Sequence, residues 1–164
     1  MNVVSLRPEQ DDVIFRDARR DEVPQIVAML ADDPIAASRE APLGDAYWAA
    51  FDDIAADPRN RLIVAEAGGQ VAGVLQLTLI PGLSRNGMLR GQIESVRVAA
   101  GHRGQGLGRA LIAWAMDEAR RAGCGLVQLT SDKRRADAIR FYRSLGFEAT
   151  HEGLKASLHD GEPG

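Results

Sequence analysis

The residues best placed for chemistry are three glycines at alternate positions, Gly104, Gly106 and Gly108, immediately before a strongly helical segment. Glycine tolerates positive φ, and its backbone N–H groups have no side chain over them. The unpaired N–H groups and the dipole of a helix's first turn favour an anion. A strand-like segment at 92–98 precedes the loop. The order strand, glycine loop and helix therefore predicts a phosphate cradle built from backbone N–H groups between Gly104 and Arg109.

The spacing of this loop excludes two familiar cradles. A Walker A loop needs Lys-Ser/Thr after its last glycine, whereas Gly108 is followed by Arg109-Ala110, and a Rossmann fingerprint would need a third glycine at position 109. The pattern that fits is Arg/Gln-x-x-Gly-x-Gly/Ala, with Arg103, Gly106 and Gly108 at its fixed positions. This pattern resembles the pyrophosphate loop of the GNAT superfamily of N-acetyltransferases. A surface turn with incidental glycines is the alternative.

A second motif lies near the C-terminus. Residues 140–147 have the sequence Arg-Phe-Tyr-Arg-Ser-Leu-Gly-Phe, which resembles the GNAT helix that carries a tyrosine and ends in Leu-Gly-Phe. The resemblance covers residues 13–158. A narrower similarity at 92–94 and 129–138 is to bacterial small-molecule members, such as aminoalkylphosphonate and glucosamine-phosphate N-acetyltransferases. The chain departs from many members at Arg135, where an asparagine that helps to hold pantetheine is common.

The resemblance implies acetyl-coenzyme A as cosubstrate. It implies that the strand at 96–98 pairs with the pantetheine arm, and that a backbone N–H there polarises the thioester carbonyl. The cofactor-binding residues expected on this basis are Val96, Arg97, Val98, Arg103, Gly104, Gln105, Gly106, Leu107, Gly108, Arg109 and Phe141.

Two side chains are candidates for proton transfer. Strand alternation is expected to put Glu94 on the same face as Val96 and Val98, where a partly buried carboxylate is the general base. Tyr142 is the candidate general acid, because a phenol suits donation to a leaving thiolate. The alternatives are a structural ion pair for Glu94 and a packed aromatic ring for Tyr142.

Composition limits the other function classes. The chain has 164 residues with 45% hydrophobic and 26% charged side chains, which is typical of one globular domain. A net charge of −3 makes nucleic acid an unexpected partner. The single cysteine, Cys124, excludes an internal disulfide, and the three histidines show no metal spacing, so no metal is expected. No apolar run is long enough for a membrane, and a cytoplasmic protein is expected.

Hydrophobic periodicity and turn residues predict an α/β (α+β), GNAT-like single domain with a mixed, mostly antiparallel sheet and helices on both faces. Residues 1–12 are expected to be a flexible leader, 13–158 the N-acetyltransferase domain and 159–164 a polar tail. The expected strands are 13–18, 61–67, 71–80, 90–99, 125–130 and a final strand or strand pair at 147–158. The expected helices begin at Asp21 and Asp45 and span 107–122 and 134–145.

The sequence leaves three functions to distinguish. The first is an acetyl-coenzyme A-dependent N-acetyltransferase for a primary amine of a small molecule. The second has the same reaction with a protein or peptide acceptor, and the third is a non-catalytic acyl-coenzyme A-binding sensor. A homodimer through sheet edges is possible in each case.

Overall fold

The computed structural model describes residues 3–4, 13–35, 37, 40 and 42–158. It divides into two compact units, residues 1–129 and 130–164.

The first unit is built on a six-stranded sheet with the strands in chain order. Neighbouring strands are antiparallel, except that the last two are parallel. The sheet is therefore mixed and mostly antiparallel, as predicted. The strands are β1 (Val3–Val4), β2 (Val13–Asp17), β3 (Asn60–Ala67), β4 (Gln70–Ile80), β5 (Arg90–Val98) and β6 (Leu126–Leu129).

Helices connect these strands close to the expected positions. Pro24 lies in the first turn of α1, where its missing N–H costs little. The helices are α1 (Val23–Ala31), α2 (Asp45–Ala56), the short helical segment α3 (Ser84–Gly87), α4 (Leu107–Arg121) and, in the second unit, α5 (Ala136–Ser144).

The two faces of the sheet are covered by different helices. On one face, the α4 face, Leu111 of α4 packs where Gly73 of β4 leaves room, because a Cβ at Gly73 would lie 2.8 Å from Leu111 Cδ1. Ile63, Leu75 and Ile93 are almost fully buried in the same layer. The opposite α1 face carries separate core clusters, in which α1 and α2 contribute Val23, Ile26, Val27, Met29 and Phe51.

The second unit differs from the prediction after its helix. Residues 147–158 form no strand, and side chains 148–158 are exposed, with Leu154 92% and Leu158 93% accessible. A strand needs a partner as well as an alternating pattern, and no described strand pairs with this segment. The expected final strand or strand pair is therefore wrong for the described residues.

The N-terminal leader is described only in part. Val3 and Val4 pair with Ile14 and Val13, so these two residues extend the sheet. The rest of 1–12 and the tail at 159–164 lie outside the described residues.

Candidate active site

The glycine loop has the backbone conformation that its sequence predicts at two of the three positions. Gly104 has φ 72° and Gly106 has φ 87°, both left-handed. Gly108 already lies in the first turn of α4 and does not need positive φ. Gly106 is the N-cap of α4, and the first intrahelical bond runs from Ala110 N–H to Gly106 O at 3.1 Å. The N–H groups of Leu107 and Gly108 precede that bond at the positive end of the helix dipole.

The surroundings of this helix end suit a phosphate. No acidic residue lies in the first turn of α4, and Arg109 lies within it. A Cβ built on Gly104 or Gly106 would meet nothing within 4 Å, so the backbone faces open space on that side. The N-terminus of α4 can therefore accept a phosphate group.

Arg103, the first fixed residue of the motif, anchors the loop. Its Nε donates to Val98 O at 3.1 Å, and its Nη2 donates to Asp32 Oδ2 at 2.9 Å. Gln105 Nε2 donates to Gly101 O at 3.0 Å, which closes the loop on itself. Arg103 thus ties the glycine loop to the end of β5 and to the C-terminal end of α1.

A β-bulge at Ser95 changes the face to which Glu94 belongs. Ser95 has φ 56°, and the pairing with β4 shifts there: Glu94 lies opposite Gln76, whereas Arg97 lies opposite Val74. Three steps along β5 match two along β4, so Ser95 adds one residue to the strand. Gln76 and Val74 lie two residues apart and share the α1 face, so Glu94 and Arg97 share it too.

The expectation that Glu94 shares a face with Val96 and Val98 is therefore wrong. Val98 lies opposite Gly73, which belongs to the α4 face. Unbroken alternation would keep Glu94 in phase with Val98, but the extra residue reverses the phase. The partial burial expected of Glu94 is not found either, because its side chain is exposed.

Beside the bulge, β5 and β6 separate. Their parallel pairing begins at Arg90 and Leu126 and ends at Ile93 and Leu129. Among the described residues, no β6 residue pairs with residues 94–98. On that side of β5, the C=O groups of Val96 and Val98 accept from Arg97 Nη1 and Arg103 Nε, and the described residues of β6 supply no partner to their N–H groups. Such an edge can pair with an extended chain as another strand does.

The Arg97 side chain contacts its own strand and the end of α1. Its Nη1 donates to Val96 O at 2.8 Å, and its Nη2 lies 3.9 Å from Asp33 Oδ2, just after α1. Because Ala99 N–H donates to Ala72 O, the N–H and C=O of Arg97 also point toward β4, and the backbone groups of Val98 point to the other side of β5.

The second unit holds Phe141 and Tyr142 on α5. Their rings meet edge to face at 5.2 Å between centroids, and Phe147 packs on Tyr142 in the same way at 5.8 Å. The C=O of Tyr142 accepts hydrogen bonds from the N–H groups of Leu145 and Phe147, which ends the helix at the Leu-Gly-Phe motif. The motif therefore fixes the orientation of the tyrosine ring.

The residues just before α5 form hydrogen bonds within the turn that leads into this helix. Arg135 is the N-cap of the helix, and its C=O accepts from Ile139 N–H at 3.1 Å. The Asp132 carboxylate accepts two side-chain hydrogen bonds from Arg134, at 2.9 and 2.7 Å. Asp132 therefore shapes the turn into α5.

Residues 23–147 match the model of the Acetyltransferase (GNAT) family. The chain belongs to this family. The curated relatives of this GNAT chain include the aminoalkylphosphonate N-acetyltransferase of Salmonella typhimurium, 36% identical over 108 residues, which are 64% of this chain and 70% of the relative. The glucosamine 6-phosphate N-acetyltransferase of Trypanosoma brucei brucei is 36% identical over 90 residues, 55% of this chain and 59% of the relative.

A solved structure shares the fold of this chain. A protein described as a transcriptional regulator from Bacillus halodurans C-125 superposes with a TM-score of 0.86 at 46% identity, over 89% of this GNAT chain and 99% of that protein. The protein is an acetyltransferase of a family that uses acetyl-coenzyme A. None of the described helices has the length and apolar character needed to span a bilayer. Within the described residues, no group of three or more His, Cys, Asp and Glu side chains is arranged to hold a metal ion.

Proposed function

We propose that the protein transfers the acetyl group of acetyl-coenzyme A to the primary amine of a small molecule by direct attack of the amine. The observation that carries this proposal is the join between β5 and α4. The open edge of β5 at 94–98 leads through the Arg103 anchor to the left-handed Gly106 and the N-terminus of α4. In the proposed complex, the extended pantetheine arm lies along the edge of β5, and the pyrophosphate lies at the N-terminus of α4.

The backbone has two roles in the proposed reaction. N–H groups of the loop between Gly104 and Arg109 hold the pyrophosphate, supported by the dipole of α4. Backbone groups at 96–98 hold the extended arm, and one N–H there donates to the thioester carbonyl. The same N–H stabilises the negative charge that develops on that oxygen when the amine attacks.

Glu94 and Tyr142 move the protons. Glu94 takes a proton from the ammonium, through one water because the carboxylate is exposed. The amine nitrogen then forms its bond to the carbonyl carbon, the carbon–sulfur bond breaks, and Tyr142 gives its proton to the leaving sulfur. The acylated nitrogen loses its second proton to the Tyr142 tyrosinate, which restores the phenol, and Glu94 releases its proton to solvent. Cys124 has no part as a nucleophile, because burial raises the pKa of its thiol and disfavours the thiolate.

The glycine loop is tested by Gly106→Ala. Alanine at φ 87° strains the backbone, so the dissociation constant for acetyl-coenzyme A should rise at least tenfold when measured by calorimetry. Gly69→Ala is the matched control, since Gly69 has φ 78° in a hairpin turn and open space around its Cβ position. Equal affinities in the two variants would show that the loop does not hold the cosubstrate.

The general base is tested by Glu94→Gln. The turnover number for amine acetylation, followed by release of the coenzyme A thiol, should fall about 10²–10⁴-fold. The dissociation constant for acetyl-coenzyme A should stay unchanged. Asp53→Asn, which removes an exposed carboxylate on α2, is the control and should keep full turnover. Unchanged turnover in Glu94→Gln would overturn the assignment of the base.

The general acid is tested with the two tyrosines of the chain. Tyr142→Phe should lower turnover at least tenfold with little change in cosubstrate affinity, because only the proton donor is lost. Tyr47→Phe removes the other phenol, which donates to Glu40 at 2.9 Å, and should leave turnover unchanged. Full activity in Tyr142→Phe would assign Tyr142 to packing alone.

The acceptor class is tested with a panel of small amines and short peptides. The similarity to an aminoalkylphosphonate N-acetyltransferase supports a small molecule. Turnover with peptides alone would instead make the protein a peptide N-acetyltransferase. Binding of acetyl-coenzyme A without turnover of any amine would support the sensor function.

A further inference from the structure

Four neutral polar side chains cross the α1 face of the sheet in one line, here named the polar row: Asn60, Thr78, Gln92 and Gln128. Each lies directly opposite the next across β3, β4, β5 and β6. At a strand spacing of about 4.8 Å, the row is about 14 Å long. All four side chains are partly exposed. Because these neutral side chains are partly accessible and aligned, they can act together as a hydrogen-bonding surface.

The hydrogen bonds within the row leave part of its capacity for a ligand. Asn60 Oδ1 accepts from Thr78 Oγ1 at 3.0 Å and from Gln76 Nε2 at 2.9 Å. Gln128 Nε2 donates to Gln92 Oε1 at 2.8 Å. The described residues give no further partner to the amide NH₂ groups of Asn60 and Gln92 or to the Gln128 carbonyl. Whichever way the paired amides are turned, one NH₂ and one C=O remain for a ligand.

The row lies within reach of the proposed base. Gln92 and Glu94 are two residues apart on one face of β5, about 7 Å along the strand. An amine held near Glu94 would therefore place the rest of a small acceptor over the row. The groups that this surface can bind are neutral donors and acceptors, such as the hydroxyls of a sugar or an amino alcohol.

The two arginines of β5 on this face lie away from that position. Arg90 is four residues from Glu94, about 13 Å along β5. Arg97 lies on the other side of Glu94 from the row, with its guanidinium beside Asp33. Within the described strands β3 to β6, a phosphate or phosphonate over the polar row would meet neutral side chains and the Glu94 carboxylate.

The geometry points to an acceptor that is a polyhydroxylated primary amine without a phosphate, held by the polar row. This inference rests on the proposed function, because it places the amine at Glu94. It separates this chain from the two relatives, whose names specify a phosphonate and a sugar phosphate.

The first test compares acceptors in the wild-type protein. The value of kcat/KM, from release of the coenzyme A thiol, should be at least tenfold higher for glucosamine than for glucosamine 6-phosphate, 2-aminoethylphosphonate, propylamine or a tripeptide. A preference for a phosphorylated amine, propylamine or the peptide would overturn the inference while keeping the acetyltransferase. No turnover with any of these amines, despite binding of acetyl-coenzyme A, would overturn the proposed function itself.

The second test removes the hydrogen bonds of the row. Gln92→Leu keeps most of the side-chain volume and should lower kcat/KM for glucosamine about tenfold, with less than a twofold change for propylamine. Gln25→Leu, at an exposed glutamine on α1, is the control and should leave both values unchanged. An equal fall for both amines in Gln92→Leu would show a structural role and overturn the inference.

A third variant protects the test against misfolding. If Gln92→Leu lowers the thermal midpoint, Thr78→Val provides a nearly isosteric change in the same row. It should reduce the preference for glucosamine over propylamine at least threefold while acetyl-coenzyme A affinity stays constant. An unchanged preference in a folded Thr78→Val protein, together with the unstable Gln92→Leu, would overturn the row as the acceptor surface.

Discussion

The two faces of one sheet have different tasks in this protein. On the α4 face, Ile63, Leu75, Ile93 and Leu111 are sealed from solvent, and Gly73 allows α4 to approach closely. On the α1 face, apolar packing is followed along the strands by the polar row and Glu94. The α4 face thus serves stability, whereas the α1 face combines a packed core with the proposed recognition surface. Changes on the α4 face should affect folding, whereas changes in the polar row should affect acceptor choice.

The largest effect is expected from Leu111→Ala on the α4 face. Removing this fully buried side chain leaves a cavity and should lower the free energy of unfolding by about 2–5 kcal/mol in urea denaturation. Leu83→Ala is the matched control, because Leu83 is 98% exposed and its truncation should change the free energy by less than about 0.5 kcal/mol. Equal losses at the two positions would contradict the assignment of the core.

A smaller loss is expected from Gly73→Ala. The new methyl group would lie 2.8 Å from Leu111 Cδ1 and 3.2 Å from Arg97 O, so overpacking should cost about 1–3 kcal/mol. In a Leu111→Ala background the same methyl group has room, and its cost should be smaller. Additive losses in the double variant would show that the two sites do not contact each other.

An acid-dependent effect is expected at the margin of the α1 face. Burial raises the pKa of Glu22, but hydrogen bonds from Arg16 and the Arg19 backbone, with the Arg16 charge, outweigh it, and the pKa is lowered from 4.5. A lowered pKa in the folded state stabilises the protein above pH about 4.5 and loses that contribution as pH falls. Thermal melts of Glu22→Gln should therefore depend less on pH between about 5 and 3 than the wild type.

The control for this acid-dependent effect is Glu148→Gln, at an exposed carboxylate of the second unit. Its melting curve should follow the wild-type pH dependence. A Glu22→Gln protein that destabilises as steeply as the wild type in acid would show that other carboxylates dominate.

The smallest effect on stability is expected in the polar row. Thr78→Val removes one partly exposed hydrogen bond to Asn60, so the free energy of unfolding should change by at most about 1 kcal/mol. Chemical denaturation checks this value against Leu111→Ala. A loss as large as that of Leu111→Ala would mean that the row supports the fold, and the distinction between the two faces would fail.

Much of this fold could be predicted because local signals and packing agree. Gly68-Gly69 marks the hairpin between β3 and β4, and Gly106 has the left-handed conformation before α4 that its place in the motif demands. The order and type of the central elements followed from these signals. The family followed from two motifs in separate segments, and the match at 23–147 confirms it.

The bulge, the segment at 147–158 and the polar row depend on how strands pair with each other, which the sequence of one strand does not reveal. Nothing in the residue type of Ser95 marks it as a bulge, since serine favours no left-handed backbone. The face of Glu94 therefore appears only in the register with β4. The segment at 147–158 has an alternating stretch around Leu154 but no partner among the described strands. The polar row is equally hidden, because its members come from four strands and meet only in the sheet.

The bulge at Ser95 also shifts the alternation of side chains between the two faces of the sheet, part-way along β5. Before it, alternate residues present Gln92 and Glu94 to the α1 face. After it, the alternation is shifted by one residue, so that Val98 lies opposite Gly73 on the α4 face. Side chains before the bulge can be exchanged without altering which residues after the bulge are packed. A single added residue thus changes which side chains of the same nine-residue strand reach each face of the sheet.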